Sequence, residues 1–445
     1  MQEGLEPDSR HRPTAEQGRR TTVGRELLGN VRHSVTTYPK KAAGTVVDVW
    51  RHSAVDANDE AILSERDRAL AEAVHARHEP VGKQSGVHGD RYADTMLRLA
   101  ARWPDDDLVA ILAAEAVMDS QPWDYWQAGG KTPKGRAGAA LALIDRVLAR
   151  SPDNPQAIHL LIHLTEASAD PGRAAGPAAR LGNIAPAAPH MVHMPSHTWY
   201  RIGRFDAAIA ANRSAIAADE AYARKVGDDP KNYGYFGHHS DFLASAATQS
   251  GDRVTAFAAA DALDASLSTA TAMRSPRMQG RLVRAFHART RFLSPSEILA
   301  LPAPDARLTR LGVAWHGARA EALAMTGNTD AARAELAALR ALRSVNPAAG
   351  DLALAAIADG VARGRIAVAE GKLDEALHQF RAAEAIETNL GYFEPPLWPT
   401  PVAVLAGQAR LHAGDRAGAA SDFRRALAQR PGNALARDGL AAARS

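Results

Sequence analysis

Histidine is the residue type with which this sequence could do chemistry. Seventeen occur in 445 residues, and several crowd between positions 159 and 239. The stretch HLLIHLTE holds His159, His163 and Glu166, and HMVHMPSH holds His190, His193 and His197. Each contains a histidine pair four residues apart. On a helix that spacing puts two imidazoles on one face with Cβ atoms ~5–6 Å apart, a natural clip for a divalent metal. Further along, HHSDF adds His238 and Asp241. No cysteine occurs, so disulfides, thiolate ligands and Cys nucleophiles are excluded. Histidines with nearby carboxylates and no sulfur suit Zn, Cu, Fe or Ni rather than Ca or Mg. No nucleotide loop, Ser/His/Asp order or paired catalytic carboxylate stands out, and no catalytic residue is assigned. Ser196 in HMPSH reads as a helix-start residue.

Such side chains need rigid elements to hold them, and those elements read as helices. Alanine is abundant and aromatics make up only 5%, which suits helices packed closely at small residues. The stretch PVAVLAGQARLHAGDRAGAASDFRRALAQRPGN places Gly407, Gly414, Ala419, Phe423, Ala426 and Pro431 at the offsets of the tetratricopeptide (TPR) template, whose period is about 34 residues. Small residues let the two helices of a hairpin touch, the aromatic fills the gap between hairpins, and the proline stops the second helix. The grid recurs at Gly364, Gly371, Ala376, Phe380 and Ala383, at Gly327 and Ala332, and at Gly251 and Ala256. Pro152 and Pro186 stand 34 residues apart, as closing prolines of adjacent repeats should. The expected fold is all-α, a TPR-type α-solenoid: a right-handed superhelix of about eight helical hairpins over residues 60–445. Residues 1–59 lack a helical period and read as a poorly ordered N-terminal tail. Residues 78–90 and the loop after Trp126 read as linkers.

Register sharpens the reading of the histidines. Counting repeats from residues 155 and 189, His159 and His193 fall at position five, and His163 and His197 at position nine. Helix packing uses other positions, so at ~100° per residue these four point toward the concave face. Adjacent helices lie ~8–10 Å apart, and His159, His163, His193 and His197 are expected to converge on one metal. Glu166, His190, His238 and Asp241 are further groove candidates. Pro195 works against this geometry, because it biases Met194 away from the helical region. A polar groove also suits peptide binding without metal, and repeat duplication could copy structural histidines. Trp123 and Trp126 in PWDYW read either as a plug sealing a hairpin end or as a wall of the groove. GYFEPPLWP (Gly391 to Pro399) reads as an extended, rigid connection between repeats. His11, His52, His287 and His412 have no partners at useful spacing.

Charge says little about partners. The formal net charge is +3, the pI is 9.1, and no Lys/Arg block is interleaved with aromatics, so nucleic acid is not an expected partner. The N-terminus lacks the apolar core of an export signal, and no run approaches the ~18 apolar residues of a membrane span. As written, the chain is expected in the cytoplasm.

The segments HLLIHLTEAS, HMVHMPSHTWYRIGRFDAAIAANRSAIAADEAY and PWDYW resemble a group of bacterial TPR proteins. These carry an HxxxH helix followed by an HMxHMPSH segment and generally have no assigned function. The resemblance covers most of residues 60–445 and implies a TPR superhelix without supplying a reaction. Proteins of this pattern have a further leading hairpin, often behind an export signal, where residues 1–59 differ; export is therefore the alternative location. They also tend to carry a second histidine where this chain has Asp241, which leaves His238 as the match. Two functions compete. One is a scaffold holding a peptide, protein or small molecule in its concave groove beside a transition-metal site. The other is a metal-dependent enzyme of the hydrolase or oxidase class, in which three histidines leave a metal position open for water or substrate. Glu166 and Asp241 are its only acid–base candidates by register.

Overall fold

Phe380 shows how the repeat spacing works in three dimensions. Its ring lies so close to Gly364 that a Cβ there would meet it at 2.3 Å, and Phe423 stands the same way toward Gly407, at 2.8 Å. Glycine lets the two helices of a hairpin approach, and the fully buried ring fills the gap. Gly251, Gly327, Gly371 and Gly414 end the first helix of four hairpins with φ between +74° and +88°, a left-handed turn that glycine adopts without penalty. Gly364→Ala is expected to cost about 1–3 kcal/mol through overpacking against Phe380. The urea midpoint reads this, and an unchanged midpoint would mean the hairpin absorbs a methyl group.

The computed structural model describes residues 64–78, 88–232, 235–273, 276–345 and 349–445. The tail assigned to residues 1–59 lies outside them, as does most of the 78–90 linker. Two units divide the chain, Met1–Leu160 and Leu161–Ser445, with the division inside one helix. The first holds α1 (Glu65–His78), α2 (Gly89–Arg102), α3 (Asp107–Ser120), α4 (Ala137–Arg150) and the start of α5 (Pro155–Glu166), with α1 to α4 each packed on the next. Tyr92, Met96, Val109, Val117 and Ile144 are its buried centre. Asp106 caps α3 by accepting from Val109 N–H at 3.0 Å, a bond typically worth ~1 kcal/mol. The PWDYW box closes the loop before α4. Tyr125 is its buried ring, Trp126 bridges Pro133 across the loop, and Trp123 stands half exposed at φ 57°. That bridge is the only strand-like pairing among the described residues.

The second unit continues with α6 (Ala175–Ile184), α7 (Pro189–His193), α8 (Pro195–Arg201) and α9 (Phe205–Val226). Then come α10 (Phe236–Ser250), α11 (Arg253–Ser266), α12 (Thr269–Met273), α13 (Pro276–Thr290) and α14 (Pro295–Leu299). It ends with α15 (Thr309–Met325), α16 (Thr329–Val345), α17 (Ala349–Ala369), α18 (Leu373–Thr388), α19 (Val402–His412), α20 (Arg416–Gln429) and α21 (Ala434–Arg444). Hairpin α10–α11 packs on α13 and α13 on α15, after which hairpins α15–α16, α17–α18 and α19–α20 follow in order. The architecture is all-α and of the TPR type. No helix among the described residues is long and apolar enough to cross a membrane.

The second unit also closes on itself. Gln249 at the end of α10 donates to the Pro399 carbonyl at 2.5 Å and accepts from Asn433 Nδ2 at 2.8 Å. Gly203, in the turn after α8, packs so tightly on Pro431 that a Cβ would lie 2.3 Å from its carbonyl oxygen. The last hairpin therefore reaches the first helices of the unit. The face expected to be an open groove becomes interior, and the 391–399 segment runs into it.

Candidate metal centre

Helices α7 and α8 run on through Met194, which keeps helical angles (φ −52°, ψ −36°) despite Pro195. The expected disruption does not occur. Met194 is fully buried, its N–H bonds to His190 O at 3.0 Å, and Pro195 sits at the first position of α8, where no N–H is needed. The four-residue pair is thus preserved, with His193 Nε2 and His197 Nε2 2.9 Å apart. Both rings are buried.

The other nitrogen of each ring decides what faces that contact. Asn212 on α9 donates its side-chain NH2 to Ala208 O at 2.8 Å, which turns its carbonyl oxygen toward His193 Nδ1 at 2.7 Å. His193 therefore donates from Nδ1. His197 Nδ1 lies 2.6 Å from Glu166 Oε2 and donates to that carboxylate. With both Nδ1 atoms carrying the proton, two Nε2 lone pairs face each other at 2.9 Å. Lone pairs at that distance repel unless a proton or a cation lies between them. At the ~2.0–2.1 Å typical of metal–imidazole bonds, nitrogens 2.9 Å apart subtend about 90° at an ion, the angle of adjacent ligands in a five- or six-coordinate site.

His238 completes the group. A nitrogen from each of His193, His197 and His238 lies within 4.8 Å of the others. His239, fully buried beside them, donates Nδ1 to Asp219 at 2.7 Å, and its Nε2 is buried without a hydrogen-bond partner. Carboxylate and amide partners of this kind fix ring orientation and tautomer around metals. Phe242 floors the cluster, its ring 4.4 Å from that of His197 and 4.9 Å from that of His193.

Burial, reinforced by neighbouring histidines, holds His190, His193 and His238 well below the usual imidazole pKa. Burial also lowers His197, with Glu166 pulling the other way. Neutral imidazole is the ligating form. Burial alone would raise the Glu166 carboxyl, but His163 and His197 hold it below the usual range. Glu166 is the shared acceptor of this region, taking His163 Nδ1 at 3.0 Å besides His197. His163, Glu166 and His197 form a second compact donor set, which these hydrogen bonds already satisfy.

Of the four histidines expected at one point, His193 and His197 meet, and His163 joins through Glu166. His159, one turn before His163 on α5, belongs to neither of these two groups. His190 packs on Tyr235 with ring centroids 4.2 Å apart. Asp241 is engaged by the buried Arg284, which donates Nε to Oδ1 at 2.5 Å and Nη2 to Oδ2, so both its oxygens serve that ion pair. Trp123 and Trp126 belong to the loop of the first unit.

Three contributors escaped the sequence reading. Asn212 and Asp219 were legible in principle, as polar residues on the stripe Ala208, Asn212, Ala215, Asp219 and Ala223 that α9 buries. Glu394 was not, because GYFEPPLWP reads as a connector. In the folded unit its Oε2 lies 3.6 Å from His197 Nδ1, and Tyr392 donates to its Oε1. Burial and the nearby Glu166 charge raise Glu394 well above the usual carboxyl range, with the Tyr392 bond opposing. Of the two carboxyls flanking His197, Glu166 carries the charge and Glu394 the proton.

The fold and site define a TPR-type helical repeat protein with a buried histidine–carboxylate cluster. No family model and no curated protein matches the chain. Solved structures similar to it include the Cut9–Hcn1 hetero-tetramer of the APC/C (TM-score 0.29, 13% identity, covering 86% of this chain and 67% of that one). The human IFIT1 dimer with m7Gppp-AAAA is similar at TM-score 0.37 and 12% identity, over 94% of this chain and 90% of that one. The TPR domain of P58(IPK) is similar at TM-score 0.21 and 12% identity, over 86% and 98%.

Proposed function

We propose that this protein is a TPR-type scaffold whose second unit holds one divalent transition metal through His193, His197 and His238. Asn212 and Glu166 orient the first two rings, and His239 lies beside them. The scaffold serves to present a peptide, protein or small-molecule partner. The observation that carries the metal is the facing pair of Nε2 lone pairs, since a bound cation turns that repulsion into two bonds. Nitrogen donors without sulfur favour Zn, Cu, Ni or Fe. Metal analysis of purified protein tests this. About one equivalent per chain is expected, lost in His197→Ala and kept in His412→Ala. Metal retained by His197→Ala would place the site elsewhere.

A second reading, a metal-dependent hydrolase or oxidase, has one observation in its favour. The 391–399 segment carries Glu394 and Tyr392 into the cluster, where a purely structural metal needs neither. Turnover that is chelator-sensitive and lost in Glu394→Gln, with metal content unchanged, is what this reading requires.

A further inference from the structure

The second unit contains a cleft that the metal centre does not use. Its enclosed volume is about 70 Å3, opening into about 820 Å3 of empty space that includes bulk solvent, and it lies among α13, α15, α16, α17 and the 391–399 segment. Its walls are apolar, with Val283, Val313, Leu342, Leu354, Leu397 and Trp398 as the large contributors. The space exists because small residues face it, Gly280 and Ala355 among them. A Cβ added at Gly280 would find only Arg284 Nη1, at 3.6 Å.

The charges around the cleft are nearly all spoken for. Arg284 is bound by Asp241, Arg310 pairs with Asp351, and Glu321 meets Arg365 at 3.5 Å. Arg343 is the one lining charge with no acidic partner among the described residues. It is exposed, at the solvent end. Deep in the cleft His287 packs edge-on against Trp398, ring centroids 5.8 Å apart. Burial, with Arg284 adding, pushes His287 down to about 4, so it is uncharged near neutral pH. An apolar chamber with one unmatched cation at its mouth selects a ligand with an apolar body and an anionic head.

We propose that this cleft binds an amphipathic monocarboxylate, its alkyl chain against the apolar walls and its carboxylate paired with Arg343. The inference does not rest on the metal reading, because neither His193, His197 nor His238 lines the cleft.

Calorimetric titration of the full chain with decanoate, hexanoate and decylamine tests it. Each buried methylene changes affinity roughly fourfold, so decanoate is expected to bind more than tenfold tighter than hexanoate. Decylamine, with the same body and the opposite charge, should bind at least tenfold more weakly than decanoate. Arg343→Gln should remove most of that head-group preference, and Gly280→Leu, which fills the cleft with a better helix former, should abolish binding of both. Equal affinity for decanoate and decylamine in the unaltered protein would overturn the proposal. So would decanoate binding that survives Gly280→Leu, or no saturable decanoate binding at all. Loss of metal binding in the same protein would leave these outcomes unaffected, which separates the two readings.

Discussion

Zinc added to chelator-stripped protein is expected to raise its stability against unfolding by about 4 kcal/mol at a thousandfold excess over Kd, with ~1.4 kcal/mol more for each further decade. A ligand bound only by the native state acts by mass action, and the unfolded chain lacks the convergent Nε2 atoms. His197→Ala should abolish the shift. Asn212→Ala should retain a weaker one, because its loss frees the His193 tautomer without removing a ligand; such partners typically change metal affinity ~10–100-fold. His412→Ala, remote from the cluster, should respond as the unaltered protein does. Thermal or urea melts with and without zinc, nickel or copper read all four cases. A stripped protein indifferent to every one of these metals would leave the scaffold without its metal centre.

Acidification should produce the other large effect. His287 is held at about 4, and burial places His193 and His238 well below their ordinary value. As pH falls below ~6.5 the unfolded chain takes up these protons while the folded chain does not. These histidines therefore lower stability as pH falls, by about 1.4 kcal/mol per pH unit each. For His287 alone the window from about 6.5 to about 4 amounts to ~3 kcal/mol. The depressed Glu166 adds a loss at lower pH, as it leaves its charged form. Raised carboxyls work the other way, because the folded state already holds protons that the unfolded state does not: Glu394 and Glu321 are raised by burial, and Glu115 and Glu387 are pushed up to about 7. Urea midpoints at pH 7, 6 and 5 read the difference between the two sets, and His287→Gln should shift the slope by one histidine's worth, about 1.4 kcal/mol per pH unit, toward greater stability at low pH. An unchanged slope in His287→Gln would show that His287 titrates normally and is open to water.

The periodic features were legible because they are local. Gly371 and Gly414 announce turns, Phe380 and Phe423 announce the gaps they fill, and the spacing of His193 and His197 puts both rings on one face. Each follows from the 3.6-residue period and from packing one hairpin on the next. Even so, local preference misled at Pro195, where burial of Met194 and the position of the proline at the start of α8 outweighed the bias against helix.

Convergence was a matter for the tertiary structure. Whether His163 or His238 reaches the His193–His197 pair depends on how α5, α9 and α10 pack around α7 and α8, which no spacing within one helix encodes. Asp241 read as a groove carboxylate and acid–base candidate until Arg284, 43 positions further along, engaged both its oxygens. Glu394 looked like part of a connector until closure of the second unit, through Gln249, Asn433 and Gly203, brought its segment against His197. A sequence of this kind determines the helices, their hairpins and the types of donor available. Which donors share a site, and which are buried enough to lose their charge, is decided by packing between residues far apart in the chain, since desolvation and hydrogen-bond geometry exist only once those surfaces have met.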